Sequence, residues 1–360
     1  MTINEFIPKP YKDLLDSGTV AYSAPSNIAL IKYWGKKAHQ IPANPSISFT
    51  LDNCKTSTIL KFKKKKSEGF SFDVFLEGVI QEDFKPKIEQ FFSRIEMYLP
   101  FLSAYHFVIE TSNTFPHSSG IASSASGMSA LALCLMQVEQ QIDPDISKEF
   151  FNKKASFLAR LGSGSACRSI EGDLIVWGTH ANIEGSSDII GVKYPYDVHQ
   201  NFKNYRDTIL LVDKGEKQVS STVGHNLMHN HSFAEQRFEQ AHSNMDALIS
   251  VLKSGDLTAF ISIVEREALT LHAMMMSSDP YFILMKPNTL EIINKIWAFR
   301  AKTGLHICFT LDAGANVHVL FPESESEEIQ EFIKTELAVH CQKEHYIEDK
   351  LGQGAQPIKI

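Results

Sequence analysis

Small residues crowd the stretch Pro-His-Ser-Ser-Gly-Ile-Ala-Ser-Ser-Ala-Ser-Gly at 116–127, which joins a strand-like run at 105–111 to a helical run reaching about residue 139. A strand that must turn into a helix through such residues lets a ligand approach the backbone closely. The first N–H groups of a helix lack intrahelical partners and sit at the positive end of its dipole, so an anion such as phosphate is at home there. The stretch has neither the Gly-Lys-Ser/Thr ending of a Walker A loop nor the Rossmann glycine triplet. By residue type alone it serves equally as a Ser/Gly cap on an ordinary helix.

The rest of the chain surrounds this junction with mixed elements. Strands are predicted at 19–23, 47–51, 57–62 and 70–76, with Asp52-Asn53 as a turn between the second and third. Helices are predicted at 84–98 and 145–160, the latter with Ser147 as N-cap. After a strand at 174–177 and a polar stretch at 182–204 come a strand at 208–212 and helices at 232–253, 257–276 and 289–302. Strands at 306–311 and 317–321 flank Asp312, and a charged helix at 324–337 follows. Strict β-α-β alternation is missing, which favours an α+β class over a doubly wound sheet.

Composition excludes several functions. The net charge of −7 is spread along the 360 residues, and the one basic run, at 61–66, is short. Nonspecific nucleic-acid binding needs a concentrated basic surface. No run of about 18 apolar residues predicts a membrane span, and residues 1–16 have no apolar signal core. Cys54, Cys134, Cys167, Cys308 and Cys341 are odd in number and scattered. They fit neither a disulfide framework nor a zinc site, and reduced thiols in the cytoplasm are the simplest account.

Four places offer chemistry. Asp312 lies in a tight Asp-Ala-Gly-Ala-Asn turn between apolar strands, a position for a catalytic carboxylate or for an Asp that bonds its own turn. Arg168 lies in a Gly/Ser loop, where its fork suits a carboxylate or phosphate or pairs with Glu171. Lys32, Tyr33 and Lys36 fall in Lys-Tyr-Trp-Gly-Lys, either a phosphate-holding segment or a solvated edge strand with two exposed lysines. His225, His229 and His231 read as a solvated or dimer-facing loop, not a metal site, and His272 with its neighbouring methionines reads as core.

Read as Pro-x-x-x-Gly-Ile-x-Ser-Ser-Ala, the opening stretch resembles the phosphate loop of the GHMP kinase superfamily. Ala24-Pro25-Ser26-Asn27-Ile28-Ala29-Leu30-Ile31-Lys32-Tyr33-Trp34-Gly35-Lys36, Gly162-Ser163-Gly164-Ser165-Ala166-Cys167-Arg168-Ser169 and Asp312-Ala313-Gly314-Ala315-Asn316 resemble, in the same order, three motifs of the mevalonate diphosphate decarboxylase family. The resemblance implies a two-domain GHMP kinase fold, with a ribosomal protein S5 domain 2-like first half and a ferredoxin-like second half. Boundaries are expected at 1–18 for an arm, 19–200 for the ATP-binding domain and 201–360 for the second domain.

It also implies ATP and Mg²⁺ as cofactors and a homodimer, the metal ligands staying unassigned. ATP phosphates would lie on Gly120, Ile121, Ala122, Ser123 and Ser124. Asp312, Lys32 and Arg168 would form the reacting centre. Tyr33, Lys36, Ser163, Gly164, Ser165, Arg168 and Ser221 would hold mevalonate diphosphate, which is phosphorylated, then decarboxylated to isopentenyl diphosphate. Ala315 stands where the family has Pro, Glu171-Gly172-Asp173 replaces Tyr-Gly-Gly, and 61–87 offers no match for the family's additional diphosphate-binding Arg. A relative acting on mevalonate 5-phosphate, a mevalonate kinase without decarboxylation and a non-catalytic ligand sensor on the same fold are the alternatives.

Overall fold

A computed structural model describes residues 2–116, 121–214 and 221–360. In chain order the elements are β1 (Ser17–Ile31), β2 (Ser46–Lys64), β3 (Ser71–Leu76), β4 (Val79–Ile80), α1 (Lys85–Ile95), β5 (Tyr105–Asn113), α2 (Ser123–Ile142), α3 (Lys148–Gly162), β6 (Leu174–Trp177) and β7 (Val192–Lys193). The second part holds β8 (Arg206–Leu210), α4 (Ser221–Asn226), α5 (Ala234–Ser254), α6 (Leu257–Met276), α7 (Pro287–Thr303), β9 (Cys308–Thr310), β10 (Val317–Phe321), α8 (Ser326–Phe332), β11 (Tyr346–Lys350) and β12 (Gln356–Pro357).

Two sheets organise these elements. The first runs β12-β1-β2-β5-β3-β4, with β6 on β2 and β7 on β6, and only β3–β5 is parallel. The second runs β11-β8-β10-β9 and is antiparallel throughout. Its chain order, strand, helices, two strands, helix, strand, is the split β-α-β arrangement of a ferredoxin-like unit. The mixed class and two-sheet plan match the α+β expectation.

The apolar run of β1 is buried almost continuously because its two halves face different cores. Val20 and Tyr22 pack with Phe91, Phe92, Leu131 and Leu158. Ile28, Leu30 and Ile31 pack with Met245, Leu248, Phe260 and Val264 of α5 and α6. An alternating pattern would have left one face wet. Small residues let α2 sit in the interior: Ala125, Ser129, Ala130 and Ala132 are all buried. Ser147 caps α3 as expected, its Oγ accepting from Phe150 N at 3.2 Å.

The expected turn at Asp52-Asn53 is a correction: β2 runs unbroken through it. The β1–β2 register shifts nearby, between Pro25 and Asn27. Asp349 of β11 fills the gap in the ladder. Its Oδ1 accepts from the N–H groups of Asp52 and Asn53 at 2.8 Å each, and its Oδ2 from Cys54 N at 2.7 Å. Beyond β11 the chain returns to the first sheet as β12. A Cβ added to Gly172 would lie 2.0 Å from the backbone N of Gly354, so this crossing admits only glycine.

Candidate active site

The last ladder pair of β1 is Ile31 with Ile47, so the main chain of Lys32 leaves the sheet inside the protein. Its ammonium Nζ donates to Asp312 Oδ1 at 3.0 Å. Asp312 occupies the turn between β9 and β10, as the apolar flanks predicted, so each sheet contributes one member of the pair. Asp312 also binds locally, its carbonyl accepting from Gly314 N at 2.7 Å and from His272 Nε2 at 3.1 Å. Burial holds the Lys32 ammonium below its usual range, Asp312 opposes that shift and Arg168 adds to it.

Arg168 comes from the short turn Gly164–Ser169 at the end of α3. It is buried, its Nη1 donates to Ser46 Oγ at 2.7 Å, and its guanidinium lies 5.9 Å over Trp177. Its Nε has no hydrogen-bond partner among the described residues. Glu171 bonds Asn152 instead, so the alternative of an Arg168–Glu171 pair is set aside. Gly164 lies against Trp177 and the Tyr33 hydroxyl, where a Cβ would come within 2.8 and 3.1 Å of their atoms. Ser163 and Ser165 flank it, half-buried.

The Lys-Tyr-Trp-Gly-Lys segment is not an exposed edge strand. Lys32 is fully buried, while Tyr33 and Lys36 are half-buried. The Tyr33 ring stands 4.6 Å from Trp177 and 4.2 Å from His225, and burial raises its phenol above the ordinary range. Burial, then Arg94, lowers the Lys36 ammonium. Arg94 donates to Leu161 O at 2.9 Å and Arg160 to the carbonyls of His39 and Ile189. Among the described residues these arginines and Arg168 thus spend their hydrogen bonds on carbonyls and a hydroxyl, which leaves positive charge for an anion. Sequence reasoning missed Arg94 and Arg160, which belong to no motif.

The solvated reading of the histidine cluster is corrected. His225 is buried, accepts from Gly35 N at 3.0 Å and packs on Tyr33 and Trp34. His231 is buried on Met274 O at 3.0 Å, and His229 alone is exposed. No group of three His, Cys, Asp or Glu side chains among the described residues could hold a metal. Burial pushes the Cys167 thiol up to about 12, which removes it as a nucleophile.

At the small-residue junction Gly120 lies outside the described residues. Ile121 is anchored by its carbonyl, which accepts from Ser26 Oγ at 2.6 Å, and Ala122 precedes α2 in the left-handed region with φ +44°. Among the described residues no side chain caps the helix. Ser123 and Ser124 open it, and Ser124 Oγ accepts from Lys87 Nζ at 3.1 Å. Beside them lies a cavity of about 160 Å³ lined by Val74, Leu76, Ile88, Ile109, Met128 and Leu131, with Thr58, Thr111 and Asn113 adding polar atoms. No sequence motif marked this cavity, because its walls come from five separate elements. Ser221 opens α4, and its side chain lies outside the described residues.

Residues 24–189 match the family model of the diphosphomevalonate decarboxylase-like N-terminal domain, and residues 208–358 that of the mevalonate 5-diphosphate decarboxylase C-terminal domain. The chain is 28% identical over 328 residues to the diphosphomevalonate decarboxylase mvd1 of Aspergillus fumigatus, covering 87% of this chain and 79% of that protein. It is 28% identical over 333 residues to the diphosphomevalonate decarboxylase of Rattus norvegicus, covering 87% and 78%. Among solved structures it resembles the mevalonate diphosphate decarboxylase from Enterococcus faecalis, with TM-score 0.80, 28% identity and 96% and 100% coverage. A structure described as MDDEF in complex with MVAPP, AMPPCP and magnesium gives TM-score 0.81 at 29% identity, with 96% and 100% coverage.

Proposed function

The chain belongs to the mevalonate diphosphate decarboxylase family, and from that premise we propose that it converts (R)-5-diphosphomevalonate and ATP to isopentenyl diphosphate, ADP, phosphate and carbon dioxide. The observation that carries this reading is the buried Lys32–Asp312 pair with Arg168 beside it.

ATP enters with its purine in the cavity under β3 and β5 and its phosphates at the start of α2, where Ser123, Ser124 and Lys87 supply hydroxyls and a charge. Mg²⁺ is held mainly by nucleotide phosphates, with at most one or two side chains, so the donor set here suits it without a protein cage. When bound it neutralises phosphate charge. Arg168 takes the substrate carboxylate, using the Nε that lacks a partner. Tyr33, Lys36, Ser163, Gly164 and Ser165 take the diphosphate, and the charge of Arg94 near Lys36 favours a diphosphate over a monophosphate.

Asp312 then orients the tertiary hydroxyl or accepts its proton, while Lys32 holds the carboxylate in place. The hydroxyl oxygen forms a bond to the γ-phosphorus as the bond to ADP breaks. The new phosphate is a far better leaving group than hydroxide. As it departs with its electron pair, the carboxylate carbon–carbon bond supplies the electrons of the new double bond and carbon dioxide leaves. Arg168 and Lys32 compensate charge throughout, so positioning and electrostatics carry the rate.

The two sheets support a division near residue 200, although β1 already begins at Ser17 and β12 returns from the second part to the first sheet. Exposed Met276, Tyr281, Ile283 and Leu290 support a homodimer, and five buried free cysteines support a cytoplasmic setting. No described helix is long and apolar enough to cross a membrane. The test is ADP formation with mevalonate diphosphate, mevalonate 5-phosphate and mevalonate in parallel. Turnover with the diphosphate alone is expected. Turnover with the monophosphate alone would reassign the substrate, and silence with all three would overturn the reading.

A further inference from the structure

Lys32 stands where β1 has lost its ladder partner, so its main-chain N–H and C=O need other partners inside the protein. Both groups are taken by one buried ion pair. Lys32 N donates to Glu267 Oε2 at 2.8 Å, and Lys32 O accepts from Arg237 Nη2 at 3.0 Å. Arg237 in turn grips Glu267 with both arms of its fork, Nη2 to Oε2 at 2.6 Å and Nη1 to Oε1 at 3.0 Å. Asn244 donates to Glu267 Oε1 at 2.5 Å and fixes the carboxylate in its plane. Asn44 Nδ2 is a second donor to Lys32 O, at 3.0 Å. The side chains of Arg237 and Glu267 are wholly buried.

A buried ion pair of this kind is a poor device for stability. Desolvation offsets its attraction, and apolar side chains of similar volume often serve the fold as well or better. Apolar side chains could not, however, bind the Lys32 main chain. One turn and a half further along the same helix, His272 Nε2 meets the carbonyl of Asp312 at 3.1 Å. Helix α6 therefore holds both members of the reacting pair by their backbones, one from each sheet, and the Glu267 charge also favours the Lys32 ammonium.

We propose that α6, through Glu267 with Arg237 and through His272, positions Lys32 and Asp312 for the reaction by clamping their main chains. This rests on the reading of Lys32 and Asp312 as the reacting pair. Glu267, Arg237 and His272 are positioning residues: each acts through Lys32 or Asp312 and not on the substrate. An error of about 1 Å at a reacting group costs on the order of 100-fold in rate, so a main-chain clamp at this distance from the substrate is felt in kcat.

The experiment is a double-mutant cycle on the full chain with Mg-ATP and mevalonate diphosphate. It combines E267Q with K32M and reads single-turnover carbon dioxide release, KM for both substrates and thermal unfolding. E267Q is expected to lower the rate by about 30–100-fold with KM values changed less than about twofold. In the K32M background E267Q is expected to add no further loss, because its route of action is already gone. H272L is expected to lower the rate about tenfold, and H272Q, which restores a donor near the Nε2 position, to recover most of it. Should E267Q fail to fold, R237K enters the same cycle, since a lysine cannot hold Glu267 with two arms and also reach Lys32 O. Equal losses from the variant with and without Lys32 would overturn the inference, as would a fully active E267Q. A fully active K32M would overturn the reading of the site itself, and the clamp with it.

Discussion

Replacing Asp312 by Asn separates charge from shape at the centre of the site. The side chain keeps its size and one carbonyl oxygen, so the 3.0 Å contact with Lys32 Nζ survives as a hydrogen bond from the ammonium to a neutral acceptor. What is lost is the negative charge beside an ammonium whose side chain is 2% exposed. Breaking a buried ion pair costs about 3–5 kcal/mol, and the 29% exposure of Asp312 lets water screen part of that, leaving about 2 kcal/mol of lost stability at neutral pH. Burial already holds Lys32 below its usual range and Asp312 counters the effect, so the variant lowers the folded-state value further. The unfolded lysine titrates near about 10.4. Between the two values the unfolded chain holds the extra proton, so stability rises with pH across that window and is lost as pH falls. D312N is therefore expected to recover part of its deficit between pH 7 and about pH 10. Turnover is expected to fall by about 10²–10⁴, the usual contribution of a positioned acid or base. Denaturant unfolding at several pH values and carbon dioxide release are the assays. Turnover near that of the parent, or a deficit that stays constant with pH, would refute the reasoning.

Other outcomes follow from particular contacts. Gly127 lines the cavity beside α2 and has open space at its Cβ. G127L is expected to raise KM for ATP about tenfold or more by filling the purine space, while gaining up to about 1 kcal/mol of helix propensity in thermal unfolding. G172A forces a Cβ against the backbone of Gly354 and is expected to cost about 3 kcal/mol in denaturant unfolding, with the C-terminal crossing exposed to protease. Burial pushes His272 down to about 4 from 6.5, so the unfolded chain binds the proton first as pH drops. Stability is expected to fall by about 3 kcal/mol between pH 6.5 and pH 4, a dependence that H272Q removes.

Much of the fold was legible because its helices carry a clear apolar period and ordinary caps. Ser147 caps α3 as read, accepting from Phe150 N. Strand β6 was read at its observed bounds from four apolar residues in a row. The break at Asp52-Asn53 was misread because the residue that keeps the strand extended there, Asp349, lies almost 300 positions away. The reacting pair was legible as two motifs, but their meeting across the two sheets was not a property of either. Glu267 and Arg237 were invisible for a related reason. A charge on an amphipathic helix looks solvated until a neighbouring chain end, here the exit of β1, covers it. The cavity likewise has no local signature, since β2, β3, β5, α1 and α2 each give it only a few side chains.

The most direct measurement is simultaneous: carbon dioxide from carboxyl-labelled mevalonate diphosphate and ADP from Mg-ATP, followed in one reaction. The account predicts equal amounts of both at every time after the first turnover, with phosphate in the same ratio and with both signals lost in D312N. ADP without carbon dioxide would contradict it, because the site would then phosphorylate its substrate and stop.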